Sequence, residues 1–87
     1  MSLDRNWVVY ILKCSDGSLY CGATNNLKKR IKAHNTGSGA KYTRSRRPVE
    51  ELARSVYMTQ GEALHWEYEV KRQKTKNKVR FLSSLKI

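Results

Sequence analysis

The chain is 87 residues long and 39% hydrophobic, and its 18 Lys and Arg against 7 Asp and Glu leave a net charge of +11. That length is expected to make one domain, 1–87, with a modest core. No apolar run approaches the roughly 18 residues of a membrane span, and no targeting segment precedes the first strand, so no membrane partner and a cytoplasmic location are expected.

The distribution of charge says more than its total. Eight basic residues and no acid lie between Gly17 and Val49, and seven more follow Glu69, again without an acid. Two single-sign surfaces attract a polyanion, and nucleic acid is the expected partner rather than anionic lipid. Cys14 and Cys21 form no C-x-x-C pair, and only two histidines accompany them. Neither a disulfide framework nor a zinc site is expected; buried apolar thiols are.

In chain order, Trp7 to Leu12 is a continuous apolar run, the pattern of a strand buried on both faces. Asp16-Gly17 signals a hairpin, and Leu19 to Ala23 returns as the partner strand. Two registers are open. A two-residue loop pairs Tyr10 with Ala23 and sends Tyr10 and Tyr20 to opposite faces. A three-residue Ser15-Asp16-Gly17 loop, with Gly17 left-handed, pairs Tyr10 with Gly22 and Leu12 with Tyr20. We take the second, which puts Tyr10, Leu12, Tyr20 and Gly22 on one face and Ile11 and Cys21 on the other.

Thr24-Asn25-Asn26 supplies cap candidates for a helix from Leu27 to His34, ended by Asn35-Thr36-Gly37. At about 100° per residue, Leu27, Arg30, Ile31 and His34 share one arc, whereas Lys28, Lys29 and Lys32 point away. Arg30 and His34 therefore ride with the apolar stripe. Gly37 to Pro48 reads as a flexible basic loop without the P-loop spacing, suited to clamping phosphates through Lys41, Arg44, Arg46 and Arg47. Glu50 to Met58, containing Leu52, Val56 and Tyr57, predicts a third strand.

Thr59-Gln60-Gly61-Glu62 is a capping box opening a further helix. Its inward arc holds Ala63, Leu64, Trp66 and Val70, with Glu67 among them. A carboxylate so placed needs a cation or a metal to offset its desolvation. Thr75 is expected to cap a last, basic helix through Val79, Leu82 and Leu85. Lys71 and Lys74 belong to the second basic surface.

Tyr10, Tyr20, Arg30, His34 and Glu67 are thus the inward polar groups. Phosphodiester cleavage needs a base for water, a cation for developing charge and help for the leaving oxygen, and this set holds candidates for each. With one well-placed carboxylate, a single Mg²⁺ or Mn²⁺ at Glu67 is expected, and no small-molecule cofactor. Taken singly, each residue has an ordinary reading: strand aromatics, a helix-terminal cation, an ion pair of Glu67 with Arg30 or Lys71. Their coincidence on one face beside two basic surfaces favours a site.

Val8-Val9-Tyr10, Tyr20-Cys21-Gly22, Arg30 and His34 on the next helix and Glu67 in A-L-H-W-E-Y-E-V-K together resemble the GIY-YIG nuclease domain. The resemblance covers nearly the whole chain and is closest to the small single-domain bacterial branch, extending to G-A-K-Y-T-R and the A-L-x-x-E helix. It implies an α+β fold, a three-stranded antiparallel sheet flanked by three or so helices. It also implies Tyr10 or Tyr20 as general base, Arg30 on the phosphate, His34 in proton transfer, Glu67 on the metal and Gly22 leaving backbone room. The chain departs from the pattern where Val8-Val9 replaces Gly-Ile and Cys21 replaces the second Ile, and Asn77 is the sole late asparagine. With no separate recognition domain, structure-selective or weakly specific action on DNA, rather than RNA, is expected. The alternatives are a nucleic-acid-binding module of the same fold with little or no cleavage, or an accessory domain of a repair complex.

Overall fold

The apolar run becomes the middle strand. In the computed structural model, which describes residues 4–85, β1 (Val8–Lys13) lies between β2 (Leu19–Thr24) and β3 (Glu50–Arg54), antiparallel to both. Its first five residues are buried because both faces of the sheet are covered. Three strands with helices on both sides make this an α+β fold, as expected.

The hairpin takes the three-residue turn. Cys14 N–H donates to Ser18 O and Gly17 N–H to Cys14 O, each at 2.9 Å, and Gly17 has φ +84°. Glycine adopts this left-handed conformation without a Cβ penalty. Tyr10 consequently stands opposite Gly22 and Leu12 opposite Tyr20. Asp16 fastens the turn, accepting from Ser18 N at 2.9 Å and Ser18 Oγ at 2.6 Å, and it pairs with Arg46 at 3.1 Å.

The alternation of β1 feeds two small cores. Val8, Tyr10, Leu12 and Cys14 pack with Leu27 and Val49 on one face. Val9 and Ile11 pack with Cys21, Met58, Ala63, Val70 and Leu82 on the other. Helix α1 (Leu27–Asn35) covers the first face, capped by Asn26, whose side chain accepts from Lys29 N at 3.1 Å. Leu27 and His34 are buried, Arg30 and Ile31 half-buried, and Lys28, Lys29 and Lys32 exposed, as the helical period predicts.

Four expectations are corrected. The Gly37 to Pro48 segment is not a flexible loop. It contains a one-turn helix, α2 (Lys41–Arg44), with Thr43 buried, and Arg46 and Arg47 bond back to the chain. Arg46 donates to Tyr42 O at 2.8 Å, and Arg47 to Arg44 O at 2.9 Å and Asn35 O at 3.4 Å. The Asn35 amide secures the far end, donating to Val49 O at 3.0 Å and accepting from Val49 N at 2.7 Å. Second, β3 stops at Arg54: Ser55 turns inward, its hydroxyl accepting from Val9 N at 2.9 Å, and Leu52, Val56 and Tyr57 are exposed. Only Met58 rejoins β1's line, in an isolated bridge to Trp7.

Third, α3 (Gln60–Lys71) carries the expected Thr59–Glu62 capping box, yet Leu64 is 51% exposed. Ala63, Trp66 and Val70 face the sheet, which rotates Leu64 out of the arc. Fourth, Thr75 is the first residue of α4 (Thr75–Ser83) rather than its cap, a place taken by Lys74. Lys78 reaches from α4 to Val70 O at 3.1 Å and Lys71 O at 2.9 Å, closing the C-terminus of α3. Cys14 and Cys21 are free, buried thiols. Among the described residues, no helix is long and apolar enough to cross a membrane.

Candidate functional site

The sheet face under α1 brings Tyr10, Tyr20, Arg30 and His34 together. Tyr10 is 1% exposed and lies across from Gly22, where an added Cβ would stand 2.5 Å from its Oη and 2.7 Å from its Cζ. The missing side chain at Gly22 is the space the Tyr10 ring fills. His34, fully buried, projects from α1 so that Nε2 lies 3.1 Å from Tyr10 Oη. Its Nδ1 lies 2.7 Å from Thr43 Oγ1, on α2. Gly39 permits this wrapping, since a Cβ there would stand 2.5 Å from His34 Nδ1.

Tyr20, half-buried on the edge strand β2, completes the cluster. Its ring centroid is 5.0 Å from that of His34 and 6.3 Å from that of Tyr10. Tyr42 extends the aromatic wall, 6.0 Å from Tyr20, with the Arg46 guanidinium 4.0 Å above its ring. The Arg30 guanidinium interacts with the phenols of Tyr10 and Tyr20, Tyr10 most, and this holds its own pKa up.

Electrostatics follow from burial. Desolvation pushes the Tyr10 phenol up to about 12, against the pull of Arg30. Burial, and then the charge of Arg30, lowers His34 below its ordinary value, so the imidazole is neutral near pH 7. The site therefore pairs a protonated phenol with an unprotonated imidazole, held under a fixed positive charge. Such an arrangement has the groups to receive an anion beside Arg30 and to pass a proton between Tyr10 and His34.

Glu67 arrives from the opposite side. Helix α3 packs on the sheet face that carries Cys21, and Glu67 lies at the margin of that packing with its side chain 21% exposed. Lys71 Nζ is 2.7 Å from its Oε2. Its charge still reaches around β2, acting on Tyr10 and on Cys21, whose thiol burial lifts to about 12. A pocket of about 290 Å³ crosses this edge, lined by Leu19, Tyr20, Cys21, Tyr42, Lys71 and Lys78. Among the described residues, no three His, Cys, Asp or Glu cluster as a cage. One carboxylate does not make a zinc site, but it fits a hard ion that keeps its waters and takes its remaining ligands from a phosphate substrate.

Of the basic residues read from the sequence, Lys41, Arg44 and Lys74 are exposed without a role in the core. Arg46, Arg47 and Lys71 bond to Asp16, to Arg44 O and to Glu67 respectively. Thr43, Gly39 and Tyr42 were missed. Their signal, G-A-K-Y-T-R, was visible, but its glycines and charges were read as a phosphate clamp rather than as a wrapping for the imidazole nine residues earlier.

A family model for the GIY-YIG catalytic domain matches residues 6–80. A UPF0213 protein of Bacillus pumilus is 48% identical over 83 residues, covering 95% of this chain and 85% of that protein. One from Clostridium perfringens is 52% identical over 79 residues, covering 91% and 85%. Among solved structures, the solution NMR structure of a UPF0213 protein from Bacillus halodurans aligns with TM-score 0.53 at 45% identity, covering 86% of this chain and 80% of that one. That of a protein from E. faecalis aligns with TM-score 0.62 at 38% identity, covering 94% and 88%.

Proposed function

The chain belongs to the GIY-YIG catalytic domain family, and from that premise we propose that it is a divalent-metal-dependent endonuclease hydrolysing DNA phosphodiester bonds with structural or weak sequence preference. The observation that carries this reading is the convergence of Tyr10, Tyr20 and Arg30 around the buried, neutral imidazole of His34.

Arg30 leaves the two phenols to pair with the scissile phosphate and hold the charge that builds on its oxygens. Tyr10, too basic to be ionised near pH 7, acts as a base only because the neutral imidazole 3.1 Å away takes its proton as it accepts one from the attacking water. Tyr20 borders the phosphate from the edge strand. Glu67 would hold a single Mg²⁺ or Mn²⁺ on the far side of that strand. Such an ion supplies Lewis-acid stabilisation of the phosphoryl oxygens and of the leaving oxygen. Lys41, Arg44 and Lys74, with the exposed parts of Arg46, Arg47 and Lys71, contact flanking phosphates and set no sequence preference.

The deciding experiment is cleavage of single-stranded, branched and duplex DNA, with and without Mg²⁺ or Mn²⁺, by wild type and Glu67→Gln. Metal-dependent cutting that Glu67→Gln abolishes is expected. One observation favours the second reading, a binding module: the Lys71 ammonium already neutralises Glu67 at 2.7 Å. Tight DNA binding with no cutting under any ion would select it.

A further inference from the structure

We infer that Thr43 is a positioning residue that fixes the tautomer of His34, with the hydrogen on Nδ1 and the bare nitrogen, Nε2, facing Tyr10. Both ends of the imidazole lead there independently. At the Thr43 end, Oγ1 lies 2.7 Å from His34 Nδ1 and 2.9 Å from Ala40 O. A hydroxyl carries one hydrogen and a carbonyl oxygen only accepts. If that hydrogen went to the imidazole, two oxygens would face each other lone pair to lone pair. The hydroxyl therefore donates to Ala40, and Nδ1 must bring its own hydrogen.

At the Tyr10 end, the phenol is 1% exposed and interacts with the Arg30 guanidinium, a group that only donates. The phenol hydrogen needs an acceptor, and Nε2, 3.1 Å away, is the neighbour that can be one. A hydrogen on Nε2 would surround the phenol with donors and bury its own hydrogen without a partner, an arrangement folded proteins avoid. Gly39 belongs to the same device: a Cβ there would meet Nδ1 at 2.5 Å and the His34 Cα at 2.7 Å, so only glycine lets the segment lie against the ring.

The hydrogen bonds thus all point one way, from Tyr10 O–H to Nε2, from Nδ1–H to Thr43, and from Thr43 O–H to the Ala40 carbonyl. The direction is a property of the chain itself; its catalytic consequence rests on the nuclease reading. When Tyr10 takes a proton from water and passes its own to Nε2, the phenol ends as it began. The charge then sits on an imidazolium whose second N–H already has Thr43 as its acceptor. The opposite tautomer would leave Tyr10 with nowhere to send its proton.

The test is the nitrogen spectrum of ¹⁵N-labelled protein, in which long-range proton correlations separate the two tautomers and exposed His65 serves as reference. Wild type is expected to show Nδ1–H with a bare Nε2. Tyr10→Phe should keep that pattern, because Thr43 then holds it alone, whereas Thr43→Val added to Tyr10→Phe should release the hydrogen from Nδ1, and Thr43→Ser in its place should restore it. In a cleavage assay Thr43→Val should lower kcat by about 10²-fold, the scale of a lost proton-transfer partner, with metal-free oligonucleotide binding unchanged. Nε2–H in wild type or in Tyr10→Phe, or an unaltered pattern in the Tyr10→Phe/Thr43→Val double variant, would overturn the assignment. If Thr43→Val does not fold, the first two spectra decide. A wild type that cuts nothing would sink the nuclease reading while leaving the tautomer readable.

Discussion

Adding one methyl group should have opposite effects at two glycines of this chain. At Gly22 the new Cβ would stand 2.5 Å from Tyr10 Oη and 2.7 Å from Tyr10 Cζ, and that ring is 1% exposed, pinned between His34 and the sheet. Nothing flexible stands there to give way. Overpacking of this kind costs about 1–3 kcal/mol, and for a domain of this size each kcal/mol lowers Tm by roughly 4–8 °C, so a fall of about 4–24 °C is expected. At Gly61, on the exposed first turn of α3, the same Cβ meets nothing within 4 Å. There Gly→Ala should stabilise by about 0.5–1 kcal/mol, since alanine loses less backbone freedom on forming a helix. Urea unfolding followed by Trp7 and Trp66 fluorescence measures both. Combining Gly22→Ala with Tyr10→Phe removes the hydroxyl half of the clash, so the double variant should lose less than the sum of the singles, by about 0.5 kcal/mol or more. A Gly22→Ala protein as stable as wild type would refute the claim that the Tyr10 ring fills the space glycine leaves.

Glu67→Gln should change stability by no more than about 0.5 kcal/mol, because a half-exposed i,i+4 helical pair contributes little; calorimetry checks this beside the loss of metal-dependent cleavage. DNA affinity should fall by about 10³ between 50 and 200 mM salt if about six phosphates are engaged, and replacing Lys41, Arg44 and Lys74 with alanine should flatten that slope in a fluorescence-anisotropy titration. An unchanged slope would remove those three from the binding surface. His34 is held below its ordinary 6.5, so the unfolded chain binds a proton that the folded chain resists. Its contribution to stability is therefore full above about pH 6.5 and shrinks as pH drops, until the folded group also protonates. The gap in urea midpoint between wild type and His34→Asn should therefore narrow as pH falls from 8 to 5.

The hairpin and α1 were legible because their signals are local. Asp16-Gly17 marks the hairpin but leaves two registers open, of which the structure takes the three-residue turn, and a 3.6-residue period sorts Arg30 and His34 from the lysines without knowledge of any partner. What failed depends on contacts distant in sequence. Gly37 to Pro48 has the composition of a loop, and only the spatial nearness of Asp16, Asn35 and His34 turns it into a fixed element. Leu64 was misplaced because a wheel gives relative angles, and the absolute rotation of α3 is chosen by the Cys21 face it packs on. Glu67 was read as inward and lies at the margin, where a shift of a few tens of degrees separates a core position from a rim one. Thr43 was the least legible. A threonine becomes informative only when its hydroxyl is seen between the imidazole nitrogen and the Ala40 carbonyl.

The clasp between Asp16 and Arg46 joins the hairpin turn to the segment that wraps His34. Arg46 also reaches Tyr42 O and stacks on the Tyr42 ring, while Ser15 N–H and Oγ both donate to Arg46 O. The turn that sets where Tyr10 and Tyr20 stand is thus bolted, through one arginine, to the short helix that carries Thr43. Strand register and imidazole orientation cannot drift independently. Slipping the hairpin by a residue would turn Tyr20 to the opposite face and, in the same stroke, pull on the cradle behind His34, so the strand pairing and the seat of the imidazole are built to be right together or lost together.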